Sequence, residues 1–277
     1  MFKSKKVIVS GASGFIGQHL IPILLKDGYE VLAISRSQKR AESLPWFKDV
    51  KFISYDFHSD VQITETEVEG FRGLIHLAWQ ELPNYDSSIH VKKNLPGSYK
   101  FIGSLLNKGI NQVLVAGTCF EYGLKSGAIS PSSTTEPTTL YATAKDTLRK
   151  KLSLLSLNKD FNLQWARIFY MFGKGQNSNS IISQLDFAIK NKQKVFHMSG
   201  GEQLRDYLPV EKAAEKLSYL YKSGNQGIFN ICSGKPISIK NLVESYIEKK
   251  NSNIIPKYGY YPYSVYEPMQ FWGIQNI

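Results

Sequence analysis

Residues 7–17 read Val7-Ile8-Val9-Ser10-Gly11-Ala12-Ser13-Gly14-Phe15-Ile16-Gly17, a short apolar run that meets three glycines, each separated from the next by two residues. Apolar positions then recur at helical spacing from Phe15 to Lys26. Strand, glycine turn and helix in that order leave few folds open, because the chain must reverse and lay a helix on its own sheet within a few residues. Gly11 permits the tight turn after the strand, Gly14 lets the backbone approach a pyrophosphate, and Gly17 lets the helix pack close to the sheet. The helix N-terminus, built from Ser13, Phe15 and Ile16 with these glycines, presents free N–H groups and a positive dipole end to phosphates. Glycines alone are a weak signal. Their position between a strand and a helix is what gives them meaning.

The alternation continues along the first half of the chain. Gly28 ends the first helix, and Val31-Leu32-Ala33-Ile34 reads as a second strand. Further strands are expected at 51–55, 74–77, 113–116 and 163–168, with helices at 89–107 and 141–157. Continuous apolar strands between helices argue for a parallel sheet covered on both faces, which is a doubly wound α/β fold. After Arg167 the character changes. Residues 173–183 are rich in Gly, Asn, Ser and Gln and read as a loop lining a site; helices are expected at 181–190 and 210–222, with a polar turn at 199–202 between them. The stretch 257–272 is dense in Tyr and Pro and shows no clear periodicity.

Composition closes off other classes. With 42% hydrophobic and 13% aromatic residues in 277, the chain has ample material for a core. No apolar run approaches the roughly 18 residues of a membrane span, and Met1 to Lys6 carries no signal-peptide pattern, so no membrane partner is expected. Two cysteines, Cys119 and Cys232, build neither a disulfide scaffold nor a zinc site, which fits a reducing, cytoplasmic setting. The net charge of +11 raises nucleic acid as a partner. The basic residues are spread along the chain and no nucleic-acid-binding module is present, so a basic solvated surface, or a phosphate-bearing ligand, is the reading kept. His19, His58, His90 and His197 lack metal-ligand spacing, so no metal is expected, and His76 reads as a core histidine.

The second strand ends at Ile34-Ser35-Arg36-Ser37. An NAD site usually places a carboxylate here for the ribose hydroxyls. Arg36 suits a 2′-phosphate instead, through charge-assisted bonds, and points to NADPH; the alternative is a solvated loop arginine. Farther on, Tyr141-Ala142-Thr143-Ala144-Lys145 sets a phenol and an ammonium four residues apart on one helix face. A lysine beside a tyrosine, helped by a cationic nicotinamide in the oxidised state, is expected to lower the phenol pKa from its usual value near 10 and make it a proton donor to a carbonyl. Thr118, just beyond the strand 113–116, falls at the carboxyl edge of the sheet, where such folds place ligands. Cys119 shows no base partner and reads as structural.

These residues together resemble the extended short-chain dehydrogenase/reductases, the NAD-dependent epimerase/dehydratase family, in the nucleotide-sugar 4-ketoreductase branch. The resemblance runs from Lys6 to about Tyr246. Beside Gly11, Gly14 and Gly17 it includes Asp56-Phe57, which in the family contacts adenine, and Ile75-His76-Leu77-Ala78 with Trp79, under the ribose and nicotinamide. Asn94, with Gly97 three residues later, matches the family's helix asparagine. Thr118 with Tyr122-Gly123 matches its Ser/Thr motif, Tyr141 and Lys145 its catalytic pair, and Arg205-Asp206-Tyr207 through Val210 its diphosphate-binding stretch.

The resemblance implies a Rossmann-type doubly wound parallel sheet over residues 1–168, with 203–222 returning to it. Residues 169–202 and 223–277 would then form a small C-terminal substrate-binding region. It implies catalysis by Thr118, Tyr141 and Lys145, and a substrate held by Thr118, Cys119, Phe120, Tyr170, Asn177 and Arg205. A homodimer on the helices at 89–107 and 141–157 is implied as well. Several departures bear on the substrate. Tyr170 stands where many relatives have a sugar-contacting asparagine, Glu211 replaces an aspartate, and the tail from Tyr266 to Trp272 lacks the family's second diphosphate arginine and terminal helix. Cys119 and Phe120 stand where 4,6-dehydratases need an acidic pair, which argues against dehydration. Tyr258, Tyr260, Tyr261, Tyr263 and Tyr266 either stack on a base or sugar or pack the cap. The expected activity is NADPH-dependent reduction of a dTDP-, GDP- or CDP-linked 4-keto-6-deoxy sugar in surface polysaccharide synthesis. The alternatives are a redox-neutral 4-epimerase retaining NAD and a non-catalytic NADP-binding regulator.

Overall fold

The computed structural model describes residues 5–59, 63–263 and 267–277. In chain order the elements of the first half are β1 (Lys6–Ser10), α1 (Gly17–Lys26), β2 (Glu30–Ser35), α2 (Gln38–Glu42), β3 (Lys51–Ser54), β4 (Gly73–His76), α3 (Leu95–Asn107), β5 (Gln112–Thr118), β6 (Gly127–Ile129), α4 (Leu140–Asn158) and β7 (Asn162–Ile168). The rest comprises β8 (Tyr170–Phe172), α5 (Ile181–Lys190), β9 (Val195–His197), β10 (Leu204–Arg205), β11 (Tyr207–Pro209), α6 (Val210–Ser223), β12 (Gly227–Ile231), β13 (Ile237–Ser238), α7 (Ile239–Lys249), β14 (Ile255–Lys257) and β15 (Gln270–Gly273).

Seven strands form one sheet in the order β12-β7-β5-β4-β1-β2-β3, and every neighbouring pair is parallel. Strand order reverses between β1 and β4, which opens a crevice at their carboxyl ends. Side chains alternate across the sheet. Val7 and Val9 of β1 pack with Leu20, Ile21 and Leu24 of α1 and Leu217 and Leu220 of α6. Ile8 between them joins Phe101 and Leu105 of α3 and Leu148 and Leu152 of α4 on the other face. Two apolar layers on one sheet explain why its strands read as unbroken hydrophobic runs.

Gly28 closes α1 at φ +78°. Its N–H reaches Leu25 O and that of Tyr29 reaches Leu24 O, both at 2.9 Å, the paired bonds of a left-handed helix stop. The expected helix at 89–107 is not uniform: a π-helical turn, His90–Asn94, precedes α3, and Pro96, which has no N–H to donate, sits in the first turn of α3.

The smaller region holds a four-stranded sheet β13-β10-β15-β6 and two-stranded pairs β11-β8 and β14-β9. Helices α5 and α7 pack through Leu185, Ala188 and Val243. The aperiodic stretch 257–272 contributes β15, which lies between β10 and β6. The boundary drawn at 223 needs correcting, because β12 is the edge strand of the main sheet, paired with β7 through Phe229↔Ala166 and Ile231↔Ile168. Among the described residues no helix is long and apolar enough to cross a membrane.

A buried carboxylate fastens β5 to β7. Glu121, in the turn after β5, accepts Arg167 Nε at 2.7 Å, Trp165 Nε1 at 3.0 Å and the Thr118 N–H at 2.9 Å. Removing it strands a buried guanidinium. Glu121→Ala is therefore expected to lower unfolding free energy by about 3–5 kcal/mol in urea titrations, and the double replacement Glu121→Leu/Arg167→Met by much less.

Candidate active site

The crevice at the carboxyl ends of β1, β2, β4 and β5 gathers most of the expected residues. The glycine loop fits a dinucleotide. At Gly11 (φ +72°) an added Cβ would meet Ala78 N at 2.7 Å, and at Gly17 it would meet the Gly11 and Ala12 carbonyls at 2.4 and 2.5 Å. Only glycine lets α1 start this close to the strand edge. At Gly14 the nearest atom is Gly11 O at 3.0 Å, which leaves space on its outer side for a ligand to approach. The first turn of α1 carries no acidic residue, so its dipole end is open to an anion. Ser13, Phe15 and Ile16 complete this loop before Gly17, and Leu77, Ala78 and Trp79 follow β4 beside it.

Arg36 stands exposed at the end of β2. Its Nη1 donates to Gln80 Oε1 at 2.7 Å, and Gln80 Nε2 donates to Asp56 Oδ1 at 3.0 Å. Asn94 is buried and bridges the same groups, donating from Nδ2 to Gln80 O at 3.0 Å and accepting His58 Nε2 at 2.8 Å. Phe57 is buried against α3, where a Cβ on Gly97 would lie 2.7 Å from Phe57 O. His76 is bonded on both ring nitrogens, to Ser10 Oγ at 2.7 Å and Ser98 Oγ at 3.1 Å. Ser35 Oγ, beside Arg36, is buried with no hydrogen-bond partner among the described residues. Residues from the ends of four strands thus meet at this end of the crevice.

Thr118, Tyr141 and Lys145 meet at the end of β5 and the start of α4, all buried. The Thr118 hydroxyl lies beside the Tyr141 phenol and favours its ionised form. Lys145 Nζ donates to Ala116 O at 2.7 Å and lies 3.8 Å from the centre of the Trp79 ring. Burial pulls the Lys145 ammonium down to about 7, with Glu121 opposing it. Burial pushes the Tyr141 phenol well above its ordinary value, and the neighbouring Thr118 hydroxyl only partly offsets this. In the ligand-free pocket Tyr141 is therefore a protonated acid.

A wall of rings leads outward. Tyr85 lies 5.7 Å from Tyr141 and 5.0 Å from Phe120. Tyr170 lies 5.9 Å beyond Phe120 and 5.4 Å from Tyr207. At its far end Arg205 is buried and pairs with Glu267, Nη2 to Oε2 at 3.1 Å, while Tyr170 Oη donates to Glu267 Oε1 at 2.8 Å. Cys119 is buried here, its thiol pushed up by burial, and it has no thiolate character. Asn177 stands apart, exposed in the loop before α5, where its Oδ1 accepts Asn179 N–H at 2.8 Å. Past Tyr170, a cavity of about 910 Å³ is lined by Phe172, Gln176, Phe187, Phe196, His197 and Tyr261.

The tyrosine cluster divides. Tyr258 bonds Glu244 at 2.6 Å, Tyr260 stacks on His197 at 4.1 Å, and Tyr261 faces the cavity; Tyr266 lies outside the described residues. Gln80, Tyr85 and Glu267 were not singled out in the sequence. Gln80 had one usable signal, its place just past β4, and Glu267 had none. Among the described residues no three His, Cys, Asp or Glu side chains form a group that could hold a metal.

Residues 7–232 match the family described as "NAD dependent epimerase/dehydratase family". The chain belongs to this family. It is 32% identical over 273 residues to the dTDP-6-deoxy-L-talose 4-dehydrogenase (NAD(+)) of Aggregatibacter actinomycetemcomitans, covering 96% of this chain and 98% of the relative. It is 25% identical over 268 residues to dTDP-4-dehydro-6-deoxyglucose reductase of Escherichia coli, covering 90% and 83%. Among solved structures, UDP-N-acetylglucosamine 4-epimerase from Methanobrevibacter ruminantium M1 superposes with a TM-score of 0.84 at 25% identity, over 98% of this chain and 90% of that one. The chain is thus an NAD(P)-binding enzyme of a family that modifies nucleotide sugars.

The glycine contacts rank three substitutions. Gly11→Ala and Gly17→Ala, which drive a methyl into backbone, are expected to weaken dinucleotide binding at least about 10-fold in fluorescence titrations. Gly14→Ala, with one contact at 3.0 Å, is expected to keep the fold and weaken binding less.

Proposed function

We propose that the protein is a cytoplasmic, NADPH-dependent reductase of a nucleotide-diphosphate 4-keto-6-deoxy sugar, dTDP-, GDP- or CDP-linked, serving deoxysugar and surface polysaccharide synthesis. The observation that carries this reading is that Thr118, Tyr141 and Lys145 are buried together at the inner end of the aromatic wall. A ketone oxygen bound beside the Tyr141 phenol would also meet the Thr118 hydroxyl. Bound NADPH supplies the hydride. As the carbonyl carbon accepts it, the C=O π pair moves to oxygen, and that oxygen takes the Tyr141 proton. Lys145, within a turn of Tyr141, stabilises the phenolate left behind until water returns a proton.

Several features support the substrate class. The rings of Tyr85, Phe120 and Tyr170 offer an apolar flank to a sugar lacking its 6-hydroxyl. Arg205 at the end of that flank suits a diphosphate, and the cavity beyond, with Phe172, Phe196 and Tyr261, suits a nucleoside. Cys119 and Phe120 supply no acid–base pair for eliminating water. Arg36 with the unpartnered Ser35 Oγ supports NADPH. The exposed leucines on α4, Leu154 and Leu157, support a homodimer on these helices.

A second reading runs the same chemistry backwards with NAD, as the name of the 32%-identical dehydrogenase relative favours. A third, a 4-epimerase retaining NAD, is favoured by the superposition on an epimerase.

Reduced-nicotinamide absorbance, followed with NADPH and NADH over a panel of nucleotide 4-keto-6-deoxy sugars, separates them. Stoichiometric NADPH loss with one sugar is expected, with kcat lowered about 10²–10⁴-fold in Tyr141→Phe. Arg36→Ala is expected to weaken NADPH about 10-fold or more and leave NADH unchanged. Isomerised sugar without net oxidation of either cofactor would overturn the reductase for the epimerase. The Lys145 ammonium is present below about pH 7 and lost above it, so kcat for reduction should be full on the acid side and fall as pH rises through that value.

A further inference from the structure

We infer that Trp79 is a positioning residue for the proton transfer: its indole face holds Lys145 as an ammonium in a pocket that would otherwise discharge it. This rests on the reading of Tyr141 and Lys145 given above and adds a residue to it. An ammonium carries three donors, and burial removes water from all of them. Lys145 is 2% exposed. One donor goes to Ala116 O at 2.7 Å. The Trp79 ring, its centre 3.8 Å from Nζ, covers another side at a distance where the attraction of a cation to a π face is strong.

The charged and titratable groups around Lys145 leave this work to the ring. Glu121, in the turn after β5, is the one carboxylate acting on it, and Glu121 already accepts Arg167 Nε at 2.7 Å and Trp165 Nε1. His76 of β4 is held neutral by burial, its pKa lowered to about 3. His90, before α3, is also held down by burial. Tyr141, one turn earlier on α4, is a neutral phenol. Neither histidine offers negative charge, and the carboxylate is shared.

The indole is fixed from behind. Trp79 Nε1 donates to His90 Nδ1 at 3.1 Å, and Asn94 Nδ2 reaches the same nitrogen at 3.1 Å. Two donors on Nδ1 make it the acceptor, so the proton sits on Nε2, which donates to Asn84 O at 2.7 Å. The imidazole and indole planes differ by only 19°. The same indole also meets the Tyr141 ring edge-on at 6.0 Å. One rigid aromatic plane therefore touches both members of the proton-transferring pair.

Two measurements test this. In the ligand-free protein, Trp79 fluorescence, taken as the difference between wild type and Trp79→Phe, should titrate as the Lys145 ammonium discharges and stop titrating in Lys145→Met. In the enzyme, the alkaline limb of the kcat–pH profile should move to lower pH by roughly one unit in Trp79→Leu, which is apolar but has no π face, and by less in Trp79→Phe, which keeps a weaker one. A Leu limb at the wild-type position, or an effect confined to KM, overturns the inference. So does a fluorescence titration that persists in Lys145→Met. If Trp79→Leu fails to fold, the Trp79→Phe limb and the wild-type titration decide. A Tyr141→Phe enzyme with undiminished kcat would overturn the underlying proton-transfer reading and this inference with it. An inactive Tyr141→Phe beside an unmoved Leu limb removes Trp79's part alone.

Discussion

A methyl group on Gly17 would sit 2.4 Å from the Gly11 carbonyl, and one on Gly11 would sit 2.7 Å from the backbone nitrogen after β4. The rest of the molecule depends on this close approach. It lets α1 begin at the rim of the sheet and lay Leu20, Ile21 and Leu24 onto Val7 and Val9. It also brings the ends of β1 and β4 together where the strand order reverses, so Gly11, Trp79 and Gln80 share one crevice. Cofactor geometry and core packing are set by the same few backbone contacts, which is why small changes there reach both.

Charge at the carboxyl end of the sheet is handled in two ways. Arg167 and Arg205 are buried and each has a carboxylate, Glu121 or Glu267, within 3.1 Å. Lys145 is buried too, and its neighbours are a carbonyl oxygen and an indole face. The Arg167 guanidinium is locked into structure, and that of Arg205 is held in place by Glu267. The lysine is left nearer its titration point, a condition suited to a group whose charge matters to a reaction. The +11 net charge says little about any of this, since these three cations are hidden from solvent.

Much of the fold was legible because its strands and helices are long enough for periodicity to show. The stretch 181–190 is a helix in both sequence and structure, and 7–9, 31–34 and 163–168 fall inside strands. The two- and three-residue strands of the small region fall below any period, and β15 hides among tyrosines and prolines. Gly227–Ile231 joins the main sheet through long-range pairing with β7 that no local pattern encodes. In the site, the glycines, Thr118, Tyr141 and Lys145 were readable because spacing alone puts them on one edge or helix face. Gln80 beside Arg36 and Glu267 beside Arg205 join residues far apart in the chain. The depth at which Tyr141 is buried was not readable, because helical spacing reports a neighbour and nothing of burial.

The late position of β12 has a consequence for how the protein is made. When β7 has left the ribosome, the six strands already formed end in an unpaired apolar edge, and α1 lacks the α6 surface that covers it. Both stay open until residues 210–231 emerge. During that interval the nascent chain offers a strand edge and an oily helix face to any neighbour, including another copy being translated beside it. The dinucleotide loop, by contrast, is finished early. A cofactor that bound there would steady the first half of the sheet while the remainder is still being synthesised.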